Sequence, residues 1–167
     1  MLKKCVRVLA VTGLIVAGGS LCANAAGEDM QKQIDGIMAA LPKFAVPMRE
    51  VGDRYQNMYF AAEGGNWGLA AYFAKYMDKA MNPAKLTKPK EYESWRAFYD
   101  KDFDPVNKAI AAENIKSFKK EYMAVMASCN ECHAGMGYGF IKVVKLKAPA
   151  DNGIQYKLTS KATDVPK

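Results

Sequence analysis

The sequence predicts an all-α chain, organised as an antiparallel four-helix bundle that is followed by an extended C-terminal tail. In four separate segments, apolar residues recur at intervals of three and four, which is the spacing of one helix face. Short linkers rich in glycine, proline and asparagine separate these segments, and short connections favour antiparallel neighbours. Residues 140–147 alternate like a strand, but they have no second strand to pair with, so we expect an extended segment there.

The first two helices of the predicted bundle lie on either side of the sequence Glu-Gly-Gly-Asn at 63–66. The apolar stripe of the first helix consists of Phe44, Met48, Val51, Tyr55, Met58 and Ala62. Asn66 is expected to cap the second helix. The stripe of that helix consists of Trp67, Ala70, Ala74, Met77 and Met81. Two prolines in residues 82–90 then predict a loop.

The third and fourth helices occupy the second half of the chain. The third is predicted from Tyr92, Trp95, Tyr99, Val106 and Ile110. The sequence Asp-Pro at 104–105 interrupts it, either as a kink or as a fresh helical start. Asn114 is expected to cap the fourth helix, and the glycines of residues 134–139 end it. Its stripe consists of Ile115, Phe118, Tyr122, Val125, Met126 and Cys129. A short additional helix is predicted before Pro42.

The first 25 residues have the composition of a secretory signal peptide. Lys3, Lys4 and Arg7 precede an apolar run over 8–16, and a small-x-small cleavage site follows at 23–25. A helix that spans a bilayer needs about 20 apolar residues, and this run is shorter and is followed by glycines. We therefore expect cleavage, a periplasmic location and no stable membrane insertion of the mature chain.

The charge of the mature chain is mildly positive. The whole sequence carries a net charge of +7, and residues 1–25 contain three positive charges and no negative one, which leaves +4 on 142 residues. The lysines are scattered along the sequence and form no stripe, so we predict a solvated surface and no nucleic-acid partner.

Two cysteines and the one histidine of the chain lie together in the pentad Cys-Asn-Glu-Cys-His at 129–133. Cys5 and Cys22 are removed with the signal peptide, so the pentad holds the only thiols of the mature chain. A disulfide across two residues closes a very small loop and would stabilise the fold little. A thioredoxin-like pair expects a βαβ context, and a zinc site needs a second pair of ligands; the sequence offers neither.

Cys-x-x-Cys-His is instead the attachment signature of c-type haem. The thiols of Cys129 and Cys132 would each form a thioether with a porphyrin vinyl group, and His133 would bind the iron from the proximal side. On a helix, positions i, i+3 and i+4 point the same way, so the three side chains converge. The sequence therefore predicts one covalently attached haem c, and an export signal agrees with attachment outside the cytoplasm.

With these residues in place, the chain resembles the class II cytochromes c, the group that contains cytochrome c′ and its low-spin relatives. Segments 48–80, 109–118 and 128–143 are similar to a widespread set of bacterial monohaem proteins of that build. Those relatives carry a methionine on the first helix, Gly-Asn-Trp between helices and Phe-Ile after the haem motif. They commonly have a histidine where this chain has Tyr55. The resemblance implies a haem domain over 26–144, and it leaves the tail over 145–167 outside.

The second axial ligand of the iron distinguishes two functions. Because His133 is the only histidine, bis-histidine ligation within one chain is excluded, and methionine is the usual alternative in electron carriers. In an antiparallel bundle the first helix begins beside the end of the fourth, and Met58 lies about 15 Å further along than Met48, at ~1.5 Å per residue. Met48 is therefore the predicted distal ligand, and it matches the methionine of the related set. A methionine on an apolar stripe is also an ordinary core residue. Three further methionines are expected on the proximal side of the ring: Met123, Met126 and Met136.

These residues together predict a periplasmic electron-transfer protein, not an enzyme, that exchanges electrons with redox partner proteins. If no methionine binds the iron, the resemblance implies a five-coordinate haem protein that binds or senses NO or CO, as cytochrome c′ does. Peroxidase catalysis is disfavoured because the chain has no second histidine to act as a distal acid or base. Class II relatives are often dimers, so the resemblance also allows a homodimer.

Overall fold

The structure, a computed structural model, describes residues 27–166. The predicted signal peptide, residues 1–25, lies outside the described residues. The described chain divides into two compact units, one that ends at Leu41 and one that begins at Pro42. The described part of the first unit is one helix, α1, over residues 27–40, which confirms the additional helix predicted before Pro42.

The second unit is also helical. Its helices are α2 (Ala45–Glu63), α3 (Trp67–Ala80), α4 (Ala84–Thr87), α5 (Pro89–Lys101), α6 (Asp104–Ala111) and α7 (Ile115–Gly135). A short 3-10 helix at Ala162–Asp164 follows near the end of the chain. Residues 27–166 contain no β-strand, and the all-α class is therefore confirmed for them. None of the helices in this range combines the length and the apolar character needed to cross a lipid bilayer.

The ends of the predicted helices agree with the capping residues read from the sequence. The side-chain oxygen of Asn66 accepts a hydrogen bond from the backbone N–H of Leu69 at 3.1 Å, and Asn114 does the same for Ser117 at 3.0 Å. Between α2 and α3, Gly65 has φ +80°, a left-handed conformation that favours glycine. The turn and both caps are therefore encoded locally.

Two details between α3 and α7 differ from the simplest expectation. One helical turn, α4, forms where the prolines of residues 82–90 predict a loop. The third predicted helix is two separate helices, because α5 ends at Lys101 and α6 begins afresh at Asp104. Pro105 lies in the first turn of α6, where a missing N–H removes no intrahelical bond. The Asp104 side chain makes no capping bond and pairs instead with Lys108 at 2.6 Å.

The core of the second unit lies where α2, α3, α6 and α7 pack together, with Trp95 of α5 at its edge. Its largest fully buried side chains are Tyr122, Phe103, Phe118, Met58, Met77, Met81, Val106 and Val125. Burial of each large apolar side chain stabilises the fold by roughly 1.5–3 kcal/mol. Met58, Met77 and Met81, which belong to the apolar stripes of the first two predicted helices, thus serve as core residues.

The chain after α7 packs on the helices without forming a helix or strand over residues 141–159. Buried side-chain amides of α2 bind its backbone. Gln56 donates to the carbonyl of Val144 at 2.8 Å and accepts from the N–H of Leu146 at 3.2 Å. Asn57 accepts from the N–H of Ala150 at 2.9 Å. These bonds replace the ladder that a strand would need, so the tail is ordered as an extended segment.

Two glycines allow the end of this tail to approach the helices closely. A Cβ at Gly64 would stand 2.9 Å from the carbonyl carbon of Tyr156, and one at Gly68 would stand 2.9 Å from the carbonyl oxygen of Lys161. The Gly68 N–H donates to Ser160 at 2.8 Å. Small residues at the α2–α3 turn are therefore required for the tail to be seated there.

Candidate cofactor site

One apolar cleft brings together the four site residues that the sequence predicts. Met48 of α2 and Cys129, Cys132 and His133 at the end of α7 all line this cleft. The remaining walls come from the start of α2, from α5 and from the segment after α7: Phe44, Ala45, Val51, Glu91, Trp95, Phe98, Met136, Tyr138 and Ile141. The cleft is partly open to solvent, and its volume is about 170 Å³.

The contact between α2 and α7 explains why these residues meet. Tyr55 of α2 stacks on Tyr122 of α7, with ring centroids 4.2 Å apart. Met48 precedes Tyr55 by seven residues and Cys129 follows Tyr122 by seven, so that each lies about two helical turns from the stacked pair. The apolar stripes that build the core thus continue into the cleft and carry the sulfur atoms to its walls.

The two cysteines are free thiols whose surroundings favour the protonated form. Burial, with a smaller contribution from Cys132, raises the pKa of Cys129 to about 12. Burial, and then the charge of Asp102, also raises the pKa of Cys132. Redox-active Cys-x-x-Cys pairs have lowered thiol pKa values, so this environment is the opposite of the thioredoxin type. Within residues 27–166, no group of three or more His, Cys, Asp and Glu side chains is arranged to hold a metal ion.

The imidazole of His133 is oriented by the backbone that follows α7. Its Nδ1 atom lies 3.0 Å from the carbonyl oxygen of Ile141. A carbonyl oxygen accepts and never donates, so Nδ1 carries a hydrogen in this contact, and in the neutral ring the free lone pair is on Nε2. Metal-bound histidines usually make this kind of second hydrogen bond. The ring is therefore held in the tautomer that can bind a metal through Nε2.

The structure separates the methionines into two groups. Among those of residues 42–166, Met48 and Met136 line the cleft. Met58 is fully buried in the core and does not line it. The Met136 sulfur lies 3.8 Å from the Cys132 sulfur, which places it beside the cysteine motif. Met48 is thus the methionine of the cleft that comes from a different helix than the motif.

The aromatic residues divide in the same way. Trp95 and Phe98 of α5 line the cleft. Tyr55 is 3% exposed and does not line the cleft. Its hydroxyl donates to the carbonyl oxygen of Tyr122. Tyr55 therefore contributes a core contact between α2 and α7.

No pattern in the sequence indicates the contacts that three residues make at the site. Glu91 of α5 is in the cleft wall, where it pairs with Lys88 at 3.5 Å. The carbonyl of Ile141 orients His133. Asn130, in the spacer of the pentad, binds the backbone of Val143 with both ends of its amide. The motif leaves its spacer residues free, so no pattern in the sequence indicates this contact.

Comparison of the chain with protein-family models, with curated proteins and with solved structures found no match. The assignment of a function therefore depends on the side chains of the cleft and on the sequence pattern.

Proposed function

We propose that the chain is a periplasmic monohaem c-type cytochrome that transfers electrons between redox partner proteins. One haem c is attached through Cys129 and Cys132, with His133 as the proximal ligand and Met48 as the distal ligand. One observation carries the proposal: Met48 and the three residues of the pentad, which begins 81 positions later in the chain, line a single apolar cleft. Haem iron held in this way supplies one-electron chemistry, because it cycles between the ferrous and ferric states.

The two thiols suit covalent attachment to a cofactor. Cys129 and Cys132 are three residues apart on α7, so their side chains lie on the same helix face. Both line the cleft and neither is consumed in a disulfide. Burial in apolar surroundings keeps the Cys129 thiol protonated, which favours a structural role over thiol exchange.

The two axial ligands of the proposal come from different helices. The Nδ1–H of His133 donates to the Ile141 carbonyl, which fixes the ring and raises the basicity of Nε2. Met48 contributes a thioether, a ligand that raises the reduction potential and suits an electron carrier. Trp95 and Phe98 line the same cleft. Their apolar side chains limit the access of water, which further tunes the potential of a bound metal.

We also infer that α2, α3, the pair α5 and α6, and α7 form an antiparallel four-helix bundle. The stacked pair of Tyr55 and Tyr122 supports this arrangement. Met48 lies towards the N-terminus from that pair and Cys129 towards the C-terminus, and yet both line one cleft. Two helices that run in opposite directions satisfy this condition.

The absorption spectrum of the purified, exported protein in its ferric and ferrous forms tests the proposal. We expect a low-spin haem c spectrum with the weak long-wavelength band that Met ligation gives to ferric haem c. A low-spin spectrum without that band would remove Met48 as the ligand. A high-spin spectrum that changes on addition of NO or CO would instead favour the five-coordinate, gas-binding protein. A colourless polypeptide would contradict the proposal as a whole.

A further inference from the structure

We propose that Asn130 is a positioning residue that holds the imidazole of His133 through the backbone of the C-terminal tail. The inference rests on the proposed function in one respect, because the positioning affects a reduction potential only if His133 binds haem iron. The contact itself belongs to the polypeptide and can be tested with or without the cofactor.

The backbone after α7 folds back onto the residue that it orients. The N–H of Tyr138 donates to the carbonyl of His133 at 2.7 Å, and the N–H of Ile141 donates to the carbonyl of Tyr138 at 2.8 Å. The carbonyl of Ile141 then accepts the hydrogen bond from Nδ1 of His133 at 3.0 Å. The direction of the imidazole therefore depends on where residue 141 is held.

Two hydrogen bonds from the Asn130 side chain to Val143, which we call the Asn130 clamp, fix the chain two residues beyond that carbonyl. The Nδ2 of Asn130 donates to the carbonyl oxygen of Val143 at 3.0 Å, and its Oδ1 accepts from the N–H of Val143 at 2.8 Å. A side-chain amide that binds both backbone groups of one residue imitates a strand partner and leaves neither group unpaired. Asn130 and His133 are three residues apart on α7. The same helix therefore carries the imidazole and the amide that holds the chain next to the Ile141 carbonyl.

A second side-chain amide, from Gln56 of α2, binds the tail just after Val143. The Gln56 amide donates to the carbonyl of Val144 at 2.8 Å and accepts from the N–H of Leu146 at 3.2 Å. Gln56 is 8% exposed and also accepts from the hydroxyl of Tyr122 at 3.2 Å. The segment that follows Ile141 is thus tied to α2 and α7, two of the helices that line the cleft.

Loss of the Asn130 clamp should weaken the hydrogen bond of His133 and change the basicity of its imidazole. A freed tail lets the Ile141 carbonyl move away, which weakens the Nδ1 hydrogen bond and lowers the basicity of Nε2. A less basic ligand stabilises ferric iron less, so the reduction potential rises. The Nδ1 proton also becomes more accessible to water.

The test compares Asn130→Ala with Asn57→Ala as a matched control. Asn57 also binds the tail with its amide oxygen, at the N–H groups of Ala150 and Asp151, later in the chain than Val143. Both variants remove one asparagine side chain that holds backbone. His133 is the only histidine of the chain, so selective ¹⁵N-histidine labelling reports on this ring alone.

In the exported holoprotein, Asn130→Ala should increase the exchange rate of the Nδ1 proton by roughly tenfold, the effect of losing a clamp of two hydrogen bonds. It should also shift the reduction potential to a more positive value. Asn57→Ala should leave both quantities as in the wild type. Equal effects of the two variants, or no effect of Asn130→Ala, would overturn the inference.

Two further readouts keep the test decisive. If Asn130→Ala fails to fold, the wild-type protein must still show a coupling between the Nδ1 nitrogen of His133 and the carbonyl carbon of Ile141, and its absence overturns the inference. If the exported chain carries no haem, the proposed function fails, yet the apoprotein still tests the clamp. There the wild-type and Asn57→Ala rings should carry their proton on Nδ1, and Asn130→Ala should lose that preference.

Discussion

Tyr55 and Tyr122 stack face to face, with ring centroids 4.2 Å apart and an angle of 3° between their planes. The hydroxyl of Tyr55 donates to the backbone carbonyl of Tyr122, and the hydroxyl of Tyr122 donates to Gln56. Burial raises the pKa of both phenols well above the ordinary value, so both remain neutral donors. This pair fixes α2 against α7 about two turns from the cleft, and the position of Met48 relative to the cysteine motif depends on it.

Replacing Tyr55 by phenylalanine should destabilise the protein without changing the absorption spectrum of the proposed haem. Tyr55→Phe keeps the stacked ring and removes one buried hydrogen bond, which costs about 1 kcal/mol in the free energy of unfolding. Tyr59→Phe is the control, because the Tyr59 hydroxyl donates to Glu63 on the same helix at 3.2 Å and not to α7 backbone. Denaturant unfolding measures the stability, and the absorption spectrum reports on the iron. An altered spectrum in Tyr55→Phe would mean that the phenol acts at the iron.

The two methionines of the cleft should behave differently when each is replaced by alanine. Met48→Ala should remove the Met-ligation band of the ferric protein and lower the reduction potential, because a thioether ligand stabilises ferrous iron. Met136→Ala should keep the band, since Met136 lies beside Cys132 on the side of the motif. Spectra and redox titrations of both purified variants measure the difference. If Met136→Ala alone loses the band, the distal ligand is assigned to the wrong methionine.

Replacement by alanine should change the stability in opposite directions at two glycines, Gly52 inside α2 and Gly64 at its C-terminal end. Gly64→Ala places a methyl group against the backbone of Tyr156, so we expect a loss of roughly 1–3 kcal/mol and a loosened tail. Gly52→Ala lies inside α2 with no atom near its added Cβ, so we expect a gain of about 0.5–1 kcal/mol. Chemical denaturation gives the stabilities, and hydrogen exchange at Tyr156 reports on the tail. Equal stability of the two variants would contradict the close seating of the tail.

The ion pair between Glu63 and Lys119 should appear in the acid titration. Its atoms are 2.8 Å apart, and the hydrogen bond from Lys119 lowers the pKa of Glu63 below its ordinary value. A carboxyl whose pKa is lower in the folded state contributes stability above the unfolded pKa, and this contribution is lost as the pH falls through the folded pKa. Because both side chains are about half exposed, the effect on stability is small.

Carboxyl NMR during an acid titration measures this pKa directly. Lys119→Ala should raise the pKa of Glu63 towards the value of a free glutamate. Lys120→Ala is the control, because Lys120 pairs with Glu121 at 3.0 Å and not with Glu63. A pKa of Glu63 that stays unchanged in Lys119→Ala would show that Lys119 does not stabilise the Glu63 carboxylate in solution.

Much of the helical structure is predictable because its causes are local. The caps at Asn66 and Asn114 use a side chain and an N–H three residues away, and the apolar stripes repeat with the helical period. The break before Asp104 is marked by the following proline. The pentad at 129–133 is a local motif as well, so three of the four proposed site residues are evident in the sequence.

The placement of the tail is not predictable in this way. Its contacts join side-chain amides of α2 to backbone groups about 90 residues later, and such bonds produce no period in the sequence. Gln56 and Asn57 look like ordinary polar positions of a helix, yet both are buried. For the same reason the backbone contacts of Asn130 and the carbonyl partner of His133 emerge only when the chain is folded.

Mass spectrometry of the exported, processed polypeptide tests the central claim most directly. The account predicts a mass increase equal to one haem that persists in acidified acetone, because two thioether bonds hold the group. Replacing Cys129 and Cys132 together by serine should abolish the increase. A wild-type polypeptide with no added haem mass, or with a pigment that the acid extraction removes, would contradict the account.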